Sequence, residues 1–303
     1  MINAKPTLKS TLKALLYLAP LLIITGVFTL WPLIQSFLMS GYTKYNYYTN
    51  QVFARGGANF MYLWHDPDFH LAFKNTVILV LGVVPVSVLL SLGIALLLNR
   101  IKVLAGFFRT LYFLPFVTST VAIALVWNWL FRYDHGLINL LLGWCGAAPI
   151  NWLNDPHYSL LALMIVCIWH DLGFNVILFL AGLNNLNPRY TAAAMVDGAS
   201  GWQRLLNITW PLLTPVTVLV TINEMIISFK VFNQVFALFN GTAGPGNADL
   251  TLMYYLYQKF YVENQYPVAA ASGVVLFGLV ALLSVGAFSY LHHYARWFGG
   301  VRR

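Results

Sequence analysis

Six long apolar runs limit this chain more than any other feature, because each is long enough to cross a bilayer. They lie near residues 14–39, 76–98, 108–131, 158–181, 210–237 and 267–291. A helix needs about 20 apolar residues to span hydrocarbon. In lipid every backbone polar group must be satisfied within the fold, so only helices and closed barrels can span. Barrel strands read as stretches of about ten residues with alternating polarity, and these runs are continuous. Only 9% of the 303 residues are charged and 59% are hydrophobic, against about a quarter charged in soluble domains. The fold class is therefore all-α: a polytopic membrane protein with six transmembrane helices.

The distribution of Lys and Arg sets the orientation. Eleven (Lys5, Lys9, Lys13, Arg100, Lys102, Arg109, Arg189, Arg204, Arg296, Arg302 and Arg303) fall on one side, and five (Lys44, Arg55, Lys74, Arg132 and Lys259) on the other. Both termini are thus expected in the cytoplasm. The apolar run from Ala14 to Met39 exceeds the h-region of about 7–15 residues found in a cleavable signal, so it reads as a retained first span. The formal charge of +8 is mostly this topology signal. Its basic residues are dispersed rather than striped, so no nucleic-acid partner is expected. Cys145 in a loop and Cys167 in the fourth span have no ligand partner at metal-binding spacing. The pair His292 and His293 likewise reads as headgroup-level polarity, and no metal is expected.

Between spans four and five lies the only substantial cytoplasmic loop, 182–209. Within it "TAAAMVD" (191–197) is a strong helix former. Asp197-Gly198 then permits a stop, with Gly198 free to turn left-handed. So short a helix is not stable alone, and its mostly alanine side grips lipid poorly but suits a protein groove. The outer side carries three segments rich in aromatic and turn residues: 40–74, 132–157 and 238–266. Within 136–144, "GLINLLLGW" suits a short interfacial helix or a cover for the outer mouth.

"YTAAAMVDGASGWQRLLNITWPLLTP" (190–215) resembles the cytoplasmic signature of ABC importer permeases through Ala193, Ala194, Asp197, Gly198, Ala199, Ile208, Pro211 and Pro215. "WHDLGFNVILFLAGLNN" (169–185), "FKNT" (73–76), "YFLPFVTSTVAIALVWNWLF" (112–131) and Gly244-Pro245 are similar to the carbohydrate-uptake branch, in its first permease subunit. Two positions depart from the family pattern. A glutamate of the family falls at Ala192, and the proline before the motif has moved one place, leaving Asn187 with Pro188 following. The resemblance implies a type I ABC importer permease fold with both termini inside. Residues 1–70 would form a tail, first helix and outer loop, 71–291 a permease core, and 292–303 a cytoplasmic tail. A coupling helix near 190–202, including Ala192, Ala193, Ala194, Asp197, Gly198 and Ala199, would dock on a cytoplasmic ATPase. The implied partners are a second homologous permease, two ATP-binding cassette ATPase subunits that bind ATP-Mg, and an extracytoplasmic substrate-binding protein. The implied setting is the bacterial cytoplasmic (inner) membrane, with no cofactor in this chain.

The residues themselves suggest a substrate path. Thr214, Thr217, Thr221, Glu224 and Ser228 share one face of the fifth span at spacings of three and four. Threonine and serine alone are ordinary helix–helix glue. Glu224 differs, since an ionised carboxylate at mid-span costs about 2.5–3.5 kcal/mol and needs a partner or water. Lys230 and Asn233 are read as lying further along the same helix. On the fourth span Asp171 and Asn175 share a face. Sugars want aromatic faces beside amides and carboxylates, so Trp127, Trp169 and Asn128 join Glu224, Asn175, Asp171, Ser228, Thr221 and Asn233 as candidates. The alternative is a proton- or ion-coupled secondary transporter working through Asp171 and Glu224. The chain has no phosphate loop, G-x-S-x-G or H-E-x-x-H motif, so it is expected to be a non-catalytic subunit.

Overall fold

A computed structural model describes residues 8–101 and 105–299, with side chains at 11–101 and 106–290. Of the residues discussed above, Lys5, Lys102, Arg302 and Arg303 lie outside the described residues, as do the side chains of Lys9, His292, His293 and Arg296. Two compact units divide the chain. One takes the residues through His65 together with 256–275, and the other takes 66–255 and the residues from 276 onward.

In the first unit, α1 (Leu8–Thr25) passes through a π-helical turn at Gly26–Leu30 into α2 (Trp31–Ser40). Within this unit the first span is open from residue 11 onward, with Leu16 and Phe28 about three-quarters exposed. The next residues form an antiparallel hairpin, β1 (Tyr42–Asn46) with β2 (Gln51–Arg55), a small exception to an otherwise helical chain. Its turn is held by Asn46, whose side chain accepts from the amides of Tyr48 and Thr49. Helix α3 (Ala58–His65) follows, tied back by Asn59 Nδ2, which donates to the carbonyls of Ser40 and Tyr42 at 2.8 and 3.0 Å.

In the second unit, α4 (Pro67–Arg100), α8 (Pro156–Asn184) and α11 (Trp210–Phe229) pack together as a three-helix core. The third span is not straight. It breaks between α5 (Ala105–Val117) and α6 (Thr120–Leu130), which are bent by 99°. Pro115 lies just before the break, and the amide of Thr118 bonds the Pro115 carbonyl in a tight final turn. Broken spans occur where neighbouring helices satisfy the freed backbone, and α5 packs on α8. Gly173 permits that approach, because a side chain there would collide with the carbonyl of Tyr112. The count among the described residues is thus five continuous spans, or six with the bent pair taken as one.

The fifth span runs from Gly201 through Phe229, starting and ending earlier than its apolar run. Lys230 is its C-cap rather than a helical residue. Asn233 starts a separate helix, α12 (Asn233–Leu238), so the reading of both as part of one continuous span is corrected. On the outer side, α7 (Leu137–Trp144) is pinned by buried Asn139, which donates to the carbonyls of Tyr133 and Ile150 and accepts from the Ile150 amide and Trp152 Nε1. Helices α13 (Leu252–Tyr257) and α14 (Tyr266–Gly299) complete the chain, with α14 continuing past residue 291.

Three helices start with one local device. In Asp66-Pro67-Asp68, Asp155-Pro156-His157 and Asn187-Pro188-Arg189, the first side chain accepts the amide two residues on, at 2.9–3.0 Å. Proline occupies the first helical position, where no amide is needed.

Candidate functional site

The Asn187 start bears directly on the cytoplasmic loop. Helix α9 (Pro188–Val196) is capped by Asn187, and Pro188 fills its first position. The one-place move of the proline therefore supplies a strong N-cap rather than removing a signal. At the other end Asp197 is the C-cap and Gly198 has φ +78°. The Ala199 amide donates to the Ala194 carbonyl at 2.9 Å, and the Gly198 amide to Met195 at 3.2 Å. This is the paired 6→1 and 5→2 closure that a left-handed residue after a helix makes possible. Ser200 then starts α10 (Gly201–Arg204) with a capping box: its hydroxyl accepts from the Gln203 amide, and Gln203 Oε1 accepts from the Ser200 amide. A π-helical turn at Leu205–Thr209 leads into α11.

Helix α9 is thus closed at both ends yet hardly covered. Ala194 is its one buried residue, while Ala192, Ala193, Met195 and Val196 are exposed, Val196 at 88%. A nine-residue helix with so little tertiary support needs a partner surface. Between its inner side and the ends of α4 and α8 lies a groove of about 1140 Å³.

The mid-membrane candidates fall into two groups. Glu224 on α11 and Asn175 on α8 are both fully enclosed, and Asn175 Nδ2 donates to Glu224 Oε2 at 2.7 Å. Ser87 faces the same carboxylate from α4. Among the described residues, Ser87 Oγ, Glu224 Oε1 and Asn175 Oδ1 are enclosed and make no hydrogen bond of good geometry. Asp171, 3% exposed, is paired with His170 Nδ1 at 2.6 Å. Ser228 is buried, and Thr221 is half-buried with its hydroxyl donating to its own helix at Thr217. Such back-bonding is the usual resting place of a membrane threonine.

The second group is aromatic. Trp127 on α6 is 9% exposed and meets Trp169 edge-to-face at 5.6 Å. Phe131, Trp152 and Tyr158 extend the chain of rings. Trp169 remains 42% exposed. Asn128 donates to the Leu238 carbonyl at 3.2 Å, tying α6 to α12, while Asn233 is exposed. Asn128 also borders an outer cavity of about 480 Å³, whose polar lining includes Arg132, Asp134, Asn151 and Asn240. Among the described residues no cluster could hold a metal.

Sequence reasoning missed a clasp at the outer ends of these helices. Asn75 Nδ2 donates to the carbonyls of both Ala248 and Leu250, at 3.0 and 3.2 Å. Thr76 Oγ1 accepts from the Leu252 amide at 2.8 Å. Asp249, between the two carbonyls, is wholly buried. Its carboxylate presses on Gly244 (φ +77°), where a side chain would collide with it. Ser159 faces it from α8, yet neither carboxylate oxygen makes a hydrogen bond of good geometry. The "FKNT" and Gly244-Pro245 segments, about 170 residues apart, are two halves of this one clasp.

The comparisons with known proteins agree with this architecture. A family model described as "Binding-protein-dependent transport system inner membrane component" matches residues 87–295. The lactose transport system permease protein LacF of Rhizobium radiobacter is 35% identical over 274 residues, covering 89% of this chain and 90% of that one. The arabinooligosaccharides transport system permease protein AraP of Bacillus subtilis is 32% identical over 272 residues, covering 89% of this chain and 85% of its own. Among solved structures, the crystal structure of a bacterial alginate ABC transporter, in complex with an alginate pentasaccharide-bound periplasmic protein, contains a chain that superposes with a TM-score of 0.80. That chain is 22% identical, with 96% of each covered, and the likeness speaks for the fold. With its helical spans, its doubly capped cytoplasmic helix and a family match over most of its length, this chain is a multi-pass membrane protein belonging to the binding-protein-dependent transport system inner membrane components.

Proposed function

We propose that this chain is one membrane subunit of an ATP-driven importer for a sugar, oligosaccharide or polyol, set in a bacterial cytoplasmic membrane. It supplies half of a translocation pathway, the other half coming from a second, homologous permease. Two ATPase subunits bind ATP-Mg below, and an extracytoplasmic binding protein delivers substrate above. The observation that carries this reading is α9, a helix shaped at both ends and exposed along its length except at Ala194. Closure of the ATPases moves this peg, and the capped 187–204 segment passes the motion into the fifth span without a flexible joint. The sugar assignment rests on the substrates in the relatives' names and on the amide-rich outer cavity.

We sort the candidate path residues by their accessibility. Asn128, Trp169, Thr221 and Asn233 keep accessible surface and are the residues proposed to meet substrate. Glu224 and Asn175, bonded between α11 and α8, are proposed to fix the helices that carry the path, while Trp127, Asp171 and Ser228 are buried candidates of the same path. On the outer hairpin Tyr48 is 96% exposed and Tyr47 stacks on Tyr266 at 4.2 Å. This aromatic surface suits docking of the binding protein, since Tyr supplies large contact area at low entropic cost.

Affinity purification of the chain from native membranes in mild detergent tests the reading. Recovery of one further permease and a phosphate-loop ATPase in stoichiometric amounts is the expected result. A chain that purifies alone and still drives uptake after ATP depletion overturns it.

A further inference from the structure

The groove inside the cytoplasmic loop has a chemistry that docking of α9 leaves unused. Its lining includes Arg100 at the end of α4 and Arg204 on α10, together with Asn184 and Thr191. Among the described residues no carboxylate lines it, and Ala192 contributes only a methyl group. Arg204 Nε is enclosed and has no hydrogen-bond partner among the described residues. A guanidinium N–H shut away from water without an acceptor is unfavourable, so an acceptor bound here would be stabilising.

Three features identify that acceptor. Two guanidinium-bearing residues and no acid call for an anion, and a phosphate suits guanidinium geometry through paired oxygens. The groove lies where α4 and α8 end and the fifth span begins, and the ends of spanning helices meet the headgroup region. Its lining also includes Leu96, Leu183 and Leu205 and Trp202, which is 68% exposed. A lone acidic side chain would use only the arginines, whereas a phospholipid uses arginines and leucines together. Basic pockets between helices on the cytoplasmic side are a recognised place for anionic headgroups.

We propose that this groove binds the phosphodiester of an anionic phospholipid of the cytoplasmic leaflet, held by Arg204 and Arg100. The lipid then acts as a strut between the end of α4 and the α9–α10 segment, which has few contacts of its own. The site stands on the groove's residues. Only its effect on coupling rests on the importer reading.

The test is native mass spectrometry of the full assembly, titrated with phosphatidylglycerol or phosphatidylcholine. Wild type should retain phosphatidylglycerol on this chain at least about tenfold better than phosphatidylcholine. Arg204→Gln should abolish that preference. Ala192→Glu, which places a carboxylate inside the groove to occupy Arg204, should do so as well, and Arg204→Lys should keep part of it. Unchanged tryptophan emission and elution volume will show that the variants fold. Equal retention of the two lipids, or retention unaffected by both Arg204→Gln and Ala192→Glu, overturns the site. So does displacement of the bound lipid by inorganic phosphate at equal concentration, which would mark a plain anion site. Loss of the ATPase from Arg204→Gln in either lipid, with lipid retention unchanged, would assign the guanidinium to a partner's carboxylate and also overturn the proposal. If no ATPase is recovered even with wild type, the importer reading fails while the lipid measurement still stands.

Discussion

Asn175 and Glu224 face each other across the α8–α11 interface at 2.7 Å, and neither exposes any surface. A carboxylate so enclosed, with an amide on one oxygen and Ser87 facing it from a third helix, joins three spans at one point. Hydrogen bonds between membrane helices contribute modestly one at a time, but stranding one partner in a dry interior costs its whole desolvation.

The two roles open to Glu224 separate on substitution. Glu224→Ala strands Asn175 and leaves a cavity, and should destabilise the protein by about 2–4 kcal/mol. Glu224→Gln keeps an acceptor for Asn175 in the same volume and should cost under about 1 kcal/mol, with substrate affinity close to wild type. Thermal unfolding in detergent, paired with transport KM, reads both. A Gln variant of normal stability whose KM rises tenfold would move Glu224 into the path.

Gly198 carries the closure of α9 through its backbone. A side chain there would meet nothing within 4 Å, but φ is +78°, a conformation that costs an ordinary L-residue about 1–2 kcal/mol. Gly198→Val should therefore open the end of α9 and uncouple ATP hydrolysis from uptake. Gly198→Asn, which tolerates this region, should recover most of the coupling. Equal loss in both variants, measured as transport per ATP in proteoliposomes, would point to a steric requirement that the structure does not contain.

Residues 187–204 show how far local chemistry can be read from sequence. Asp197-Gly198 announces a helix stop, and the closure follows from neighbours alone. The spans are legible because lipid leaves the backbone few choices. The break between α5 and α6 was not, since Pro115 resembles the other tolerated prolines and the 99° bend depends on how α5 lies against Gly173. The burial of Glu224 escaped for the same reason: a face at helical spacing shows which residues align, not whether they turn toward a pathway or a neighbouring helix. Asn75 and Ala248 are 173 positions apart, and no local signal joins them.

That long-range clasp makes its own prediction. Asn75→Ala removes the donor to the buried Leu250 carbonyl and the part-buried Ala248 carbonyl flanking Asp249, at a cost of about 1–3 kcal/mol. The loss should be local, because Thr76 still holds Leu252. Hydrogen exchange of the 248–252 amides should speed up by about tenfold or more, with that of α8 unchanged. Uniform acceleration throughout the second unit would show that the clasp supports the whole core instead.

Asp249 should give the outer segment a pH dependence. Burial raises its carboxyl from the usual 3.8 to about 7, and Ser159 opposes the shift only in part. Because the native state binds this proton more tightly than the unfolded chain, the stabilisation is complete below about pH 4. It is lost as pH rises through about 7, and three units correspond to an upper bound of ~4 kcal/mol. Asp249→Asn keeps the shape and cannot ionise. Its melting temperature should be nearly flat between about pH 5 and 8, where wild type falls, so the variant is the more stable protein at the alkaline end. Parallel melting curves for the two proteins would mean that the carboxyl is solvated in the native state and that the packing of Gly244 against Asp249 does not persist in solution.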